Sequence, residues 1–339
     1  MKFAVCTVLA LLTMSSFAAP QKVVYGDDNR VLLSNSTNEN FKTWAKATAA
    51  MIPSNKVRFP QLDDLYPDTI KVFSETLKES RNLCEGGKFA EQLTAANCSG
   101  FLVKEGGVQY IVTAGHCMRA QSDCDSNVWA FGYDSSVSVE APFLATQNVY
   151  KCAEIVDTKL SNISDNDYAV VRLDREVEGV TPLEFRKEGK VSESTELVVI
   201  GHPSGLPTII NDKGTIREND NDFYFVANLD TFGGNSGSAV LDAETGLVEG
   251  ILVRGEDDYE WVSLDENQSC YRPLVCEEGK CRGEDVTRIT NISILTGKEA
   301  PFEEEEASYD RNYPRYSPWI DPDHDYDPYP WEFDFNDLY

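Results

Sequence analysis

Histidine is scarce in this chain of 339 residues, which holds only His116, His202 and His324. So few imidazoles leave little material for a histidine-based metal centre, and the nine cysteines form no CxxC pair of the kind zinc sites use. No metal or cofactor is expected. Basic residues are outnumbered as well, 30 Lys and Arg against 57 Asp and Glu, for a net charge of -27. That field repels phosphates, which excludes nucleic acid and anionic membrane surfaces as partners. Long apolar runs are missing beyond the first twenty residues, so no membrane anchor is expected. No internal repeat is found.

The first residues, "MKFAVCTVLALLTMSSFAAP", combine a lysine, an apolar run and small residues. They read as a secretory signal over 1–18, cut after Ala18, with Ser16 and Ala18 giving the small-x-small pattern. An extracellular or periplasmic protein is expected. Removing Cys6 with the signal leaves Cys84, Cys98, Cys117, Cys124, Cys152, Cys270, Cys276 and Cys281. An even number in an exported chain reads as disulfides. Cys124 and Cys152 flank one loop and suit a bridge across it. Cys270, Cys276 and Cys281 cluster, and with Cys84 they make two more bridges of open connectivity.

Residues 23–53 are polar with one amphipathic stretch. Over 66–82, Ile70, Phe73 and Leu77 recur at helical spacing behind a Pro and an Asp, which predicts a helix. From about 97 to 255 the chain turns to short β-branched and aromatic runs broken by Gly, Asn, Asp and Pro. Such spacing predicts an all-β barrel or sandwich. The last segment, 298–339, is acidic, Pro-rich and aromatic without period, and is expected to be a disordered tail.

One short stretch carries a chemical question. "DTFGGNSGSAV" sets Ser236 among glycines at the end of an apolar, strand-like run. A serine there is commonly a turn residue, and as a nucleophile it needs a base. His324 lies in the tail, and His202, in "GHPSG", reads as a surface loop residue. His116, in "IVTAGHC", ends an apolar strand; it is either a satisfied core histidine or the base. A base of this kind is oriented by an acid, and Asp167 enters the apolar strand of "SDNDYAVVRLD". Asp165, two residues earlier, suits a turn cap.

"TAGHC", "NDYAVVRL" and "GGNSGS", in the order His, Asp, Ser, resemble the trypsin/chymotrypsin-like serine peptidases. "GNSGS" and the N-terminal "VVYGDDNRVLLSNST" are similar to the bacterial glutamyl endopeptidases within that family. The resemblance implies two six-stranded antiparallel β-barrels over 23–297, here with a helical N-terminal insertion. It also implies a bridge from Cys98 to Cys117. By the same likeness Ser236 attacks the scissile carbonyl, His116 moves the proton and Asp167 orients His116. The backbone N–H groups of Gly234 and Ser236 form the oxyanion hole. Asn235 departs from the digestive enzymes, which carry an acid there to pair with a freed N-terminus. Similarity to the glutamyl endopeptidases instead implies a short propeptide, 19–22, and a new N-terminus at Val23.

Asp230, six residues before Ser236, stands where trypsin-like enzymes keep the acid that binds substrate Arg or Lys; otherwise loop N–H groups or a protein cation satisfy it. The glutamyl enzymes use a threonine, matched by Thr231, and a histidine, whose place Leu252 takes. Arg254 is expected either to neutralise Asp230 or to meet an acidic side chain. The resulting expectation is a monomeric, secreted serine endopeptidase acting on proteins or peptides after Arg or Lys. The alternatives are a glutamate-preferring enzyme of the same fold and a non-catalytic protein-binding module. An esterase of the α/β-hydrolase type is excluded by the chain order and by the missing glycine two residues after Ser236. "CRGEDVTRITN", at 281–291, gets no role beyond an ion-paired C-terminal element.

Overall fold

A computed structural model describes residues 24–61, 65–255, 257–265, 268–276, 281–299 and 301. The signal, the propeptide, Val23 and nearly all of the acidic tail lie outside the described residues. Six strands close the first barrel: β1 (Thr48–Pro53), β2 (Cys98–Glu105), β3 (Val108–Thr113), β4 (Asn127–Phe131), β5 (Val149–Leu160) and β6 (Asp167–Leu173). The second is built from β7 (Leu197–Gly201), β8 (Ile209–Glu218), β9 (Tyr224–Asn228), β10 (Ala239–Asp242), β11 (Val248–Arg254) and β12 (Glu284–Arg288). Its order is β7-β10-β11-β12-β9-β8, closed by pairing of β7 with β8, and Val31–Leu32 adds a short strand on β8. All pairings within the two barrels are antiparallel.

Several strands are buried on both faces, so alternation of polar and apolar residues is absent. In β1 and β4, Ala49, Met51, Trp129 and Phe131 join the main core with Phe101 and Ile111. Their neighbours Ala50, Ile52, Val128 and Ala130 face a separate core with Ile70, Val72 and Leu144. In β7, Val198 and Ile200 meet the main core, whereas Leu197 and Val199 fill the second barrel with Phe225, Val240 and Val286.

That second face of the first barrel overturns the helix expected over 66–82. Thr69–Val72 is a strand, paired with Val57–Arg58 on one side and Phe143–Ala145 on the other. Ile70 and Val72 are buried while Phe73 is 45% exposed, a period of two where a helix would need 3.6. Burying each β-branched side chain contributes about 1.5–3 kcal/mol, which outweighs local helix preference. Only Leu77–Arg81 is helical, capped by Thr76 and Glu79 in a reciprocal capping box.

Two barrel strands fall outside the 97–255 window. β1 is alanine-rich and weak in β-propensity. β12, within "CRGEDVTRITN", carries charge at Glu284, Asp285 and Arg288. The structure pairs Cys84 with Cys270, Cys98 with Cys117, Cys124 with Cys152, and Cys276 with Cys281.

Candidate active site

His116 follows β3 in a single 3-10 turn, Gly115–Cys117, and Asp167 opens β6, which pairs with β3. Strand pairing in the first barrel thus brings two residues 51 apart in sequence into contact. The Asp167 carboxylate accepts the His116 backbone N–H at 3.0 Å and meets Nδ1 of the ring at 2.8 Å. Asp167 is 1% exposed. A carboxylate only accepts, so Nδ1 carries the proton and Nε2 is left as the basic nitrogen.

Ser236 lies in the connection from β9 to β10. Gly234 and Gly237 on either side have φ of +89°, a left-handed conformation that only glycine adopts without strain. At Gly237 a Cβ would also lie 2.1 Å from the carbonyl oxygen of Ser99. Neither the Gly234 N–H nor the Ser236 N–H bonds to a described residue, and the Ser236 hydroxyl makes no hydrogen bond to His116.

The loop is tied to the first barrel chiefly through Ser99, which the sequence reading passed over. Its N–H donates to the Ser236 carbonyl at 2.8 Å, and its hydroxyl donates to the Gly234 carbonyl at 3.0 Å. The same hydroxyl accepts the His202 N–H at 2.9 Å, and Ser99 is fully buried. A serine directly after Cys98, just ahead of the apolar run 101–103, is the available signal. The Gly233–Gly234 peptide is held from the other side by the Ser204 N–H, which donates to the Gly233 carbonyl.

His202 is fully buried, which overturns its reading as a surface loop residue. Its Nδ1 lies 3.0 Å from the Leu206 carbonyl and therefore carries the proton. Burial lowers its pKa to about 4, against the smaller opposing effect of that bond, so the ring stays neutral.

A cavity of about 100 Å³ opens beside Ser236, lined by Thr231, Leu252, Gly255, Asp258 and Glu284 among others. Asp230 does not line it. Its carboxylate turns to the N-terminal segment and accepts the backbone N–H groups of Tyr25 at 2.7 Å and Asn29 at 3.4 Å. Burial raises the Asp230 pKa to about 6, and those two amides pull it back down. Arg254 lines the cavity, but its guanidinium pairs with Asp285 at 3.1 Å and not with Asp230. A larger cavity, about 430 Å³, lies over β8 and β9, away from Ser236, His116 and Asp167.

Cys98, His116 and Cys117 form the one cluster of metal-type ligands among the described residues, and its two sulfurs are bonded to each other. A disulfide offers no thiolate to a metal.

A family model for a trypsin-like peptidase domain matches residues 98–251, a span that includes His116, Asp167 and Ser236. Residues 98–251 are a trypsin-like peptidase domain. That makes this chain a hydrolase of the serine peptidase class. Three solved structures are similar to the peptidase in fold. One is a Glu endopeptidase in complex with MPD, 18% identical with a TM-score of 0.43, covering 74% of this chain and 93% of that one. Another is a Mycobacterium tuberculosis protein solved as an inactive serine-to-alanine mutant, 11% identical with a TM-score of 0.40, covering 77% and 90%. A serine endoprotease from Yersinia pestis is 14% identical with a TM-score of 0.38, covering 70% and 63%. No curated protein sequence matches the peptidase.

Proposed function

We propose that this peptidase is a secreted endopeptidase in which Ser236, His116 and Asp167 act as a triad. The observation that carries the reading is the buried Asp167 holding His116 in one tautomer, next in sequence to the disulfide that borders the Ser236 loop. Ser236 Oγ attacks the scissile carbonyl carbon and its proton passes to His116 Nε2. The carbonyl oxygen takes the negative charge, facing the N–H groups of Gly234 and Ser236. Collapse breaks the C–N bond, and Nε2 returns the proton to the leaving amine. Water then attacks the acyl-enzyme, giving its proton to Nε2. Release of the acid product returns that proton to Ser236. Asp167 stays ionised throughout and stabilises the imidazolium.

The residue before the scissile bond is Arg or Lys in this reading, because carboxylates of Asp258 and Glu284 line the cavity beside Ser236. Arg254 on the same wall favours the glutamate-preferring alternative, but Asp285 already engages it. Cleavage after Lys22 frees Val23 one residue before Val24–Tyr25, a strand paired in parallel with Val275–Cys276.

The test is digestion of a denatured protein by the purified chain and by Ser236→Ala, with new termini read by mass spectrometry. Cuts after Arg and Lys that vanish in the variant support the proposal. Cuts after Glu keep the mechanism and replace the specificity. No cuts from either, even with Val23 exposed and the tail removed, favour a non-catalytic binding module.

A further inference from the structure

We infer that Glu284 is the carboxylate that receives the substrate's basic side chain, in place of Asp230. The inference rests on the peptidase reading above and assigns its specificity to a strand far in sequence from the Ser236 loop.

Glu284 opens β12, is 2% exposed, and shares the cavity wall with Ser236. Its carboxylate is aimed by two hydroxyls. Thr231 Oγ1 donates to Oε2 at 2.9 Å, and the Tyr25 hydroxyl donates to Oε1 at 3.3 Å. Oε2 lies against Gly255 on β11's continuation, where a Cβ would stand 1.7 Å from it. Glycine at 255 is therefore what leaves room for the carboxylate at the cavity. Leu252 and Val253 supply apolar walls for the methylene stem of an Arg or Lys, while the acid meets the charge.

The other charged groups near the cavity have contacts of their own, as Glu284 does. Asp230 is turned away to the amides of Tyr25 and Asn29. Asp258 accepts the Gly233 N–H at 2.7 Å. Arg254 is held by Asp285, which also pairs with Arg282 at 2.6 Å. A substrate glutamate in this cavity would be pressed against Glu284, and like charges in a partly desolvated site repel strongly. The threonine that would read glutamate in the glutamyl enzymes here donates to the acid instead. Tyr25 makes the N-terminal strand part of the pocket, since its hydroxyl holds Glu284 while its N–H holds Asp230.

The experiment uses the full chain, a fluorophosphonate that labels the nucleophilic serine, and peptides differing only in the residue before the scissile bond: Lys, Arg, Gln, Ala or Glu. For Glu284→Gln we expect labelling as in the unmodified chain, with kcat/KM for the Lys and Arg peptides down about 100-fold or more. The Gln peptide should change by less than about threefold. Asp230→Asn should keep the ratio of basic to neutral peptides. Glu284→Asp, with a shorter acid, should restore part of the basic preference. A Glu284→Gln variant that labels and keeps its preference overturns the inference, as does Asp230→Asn labelling but losing it. Should Glu284→Gln fail to label, Glu284→Asp decides: full preference with the shortened acid overturns the inference. Labelling by the unmodified chain with cuts after Glu or Ala overturns it too, yet leaves the peptidase reading standing. Failure of the unmodified chain to label sinks that reading first.

Discussion

The two barrels carry their parts of the candidate site by different means. The first presents His116 and Asp167 from the ends of paired strands, so their 2.8 Å contact follows from sheet register. The second presents Ser236 on a connection shaped by positive-φ glycines and held by contacts from elsewhere: Ser99, Ser204 and Asp258. One half of the site is built into a sheet, and the other half is suspended between neighbours. A strand-borne pair resists local change, whereas a suspended loop transmits any change in its supports to the reacting atoms.

Replacing Ser236, the proposed nucleophile, should have the largest effect. Ser236→Ala is expected to lower kcat by about 10⁶-fold, measured against a peptide substrate with termini confirmed by mass spectrometry. On the sheet-borne side, Asp167→Asn should keep the fold and lower kcat by about 10⁴-fold, since the wrong tautomer of His116 is then favoured. Added to Ser236→Ala it should cost almost nothing more, because the two act as one unit. Gly234→Ala tests the loop's shape rather than its chemistry. Its Cβ would sit 3.0 Å from the His202 carbonyl at a φ of +89°, and losing one oxyanion donor should lower kcat by about 10²–10³-fold, with KM little changed.

The smallest effect concerns support beneath the loop. His202 has a folded pKa of about 4 against an ordinary value of 6.5. Between those values the unfolded chain binds the extra proton, so this stability is present above 6.5 and is lost as pH falls toward 4. From pH 7 to pH 5 the loss is about 2 kcal/mol. Urea melts should show that part of the acid sensitivity disappearing in His202→Asn. An unchanged pH dependence in that variant would mean that the ring is not held neutral by burial.

Much of this was readable from local pattern. The motifs around His116, Asp167 and Ser236 each fit within a few residues, and each marks a strand end or glycine turn. The strands between 97 and 255 were visible for the same reason. Where packing overruled pattern, reading failed. Ile70 and Val72 sit at positions a helix could use, but the second face of the first barrel needed a strand to cover it. The turn around His202 looks exposed in sequence, yet Tyr133, Leu206 and the Ser99 hydroxyl enclose it.

The sequence by itself determined the parity of the cysteines, the scarcity of bases and the order His, Asp, Ser, because these are properties of composition and short spacing. Tertiary structure alone decided that Glu284, and not Asp230, lines the cavity beside Ser236. Asp230 and Glu284 both meet Tyr25, across 205 and 259 residues of chain. Asp230 turns to backbone amides, while Glu284 lies against Gly255 at the cavity. Contacts of that range depend on where two barrels and an N-terminal strand come together, and no local rule encodes it.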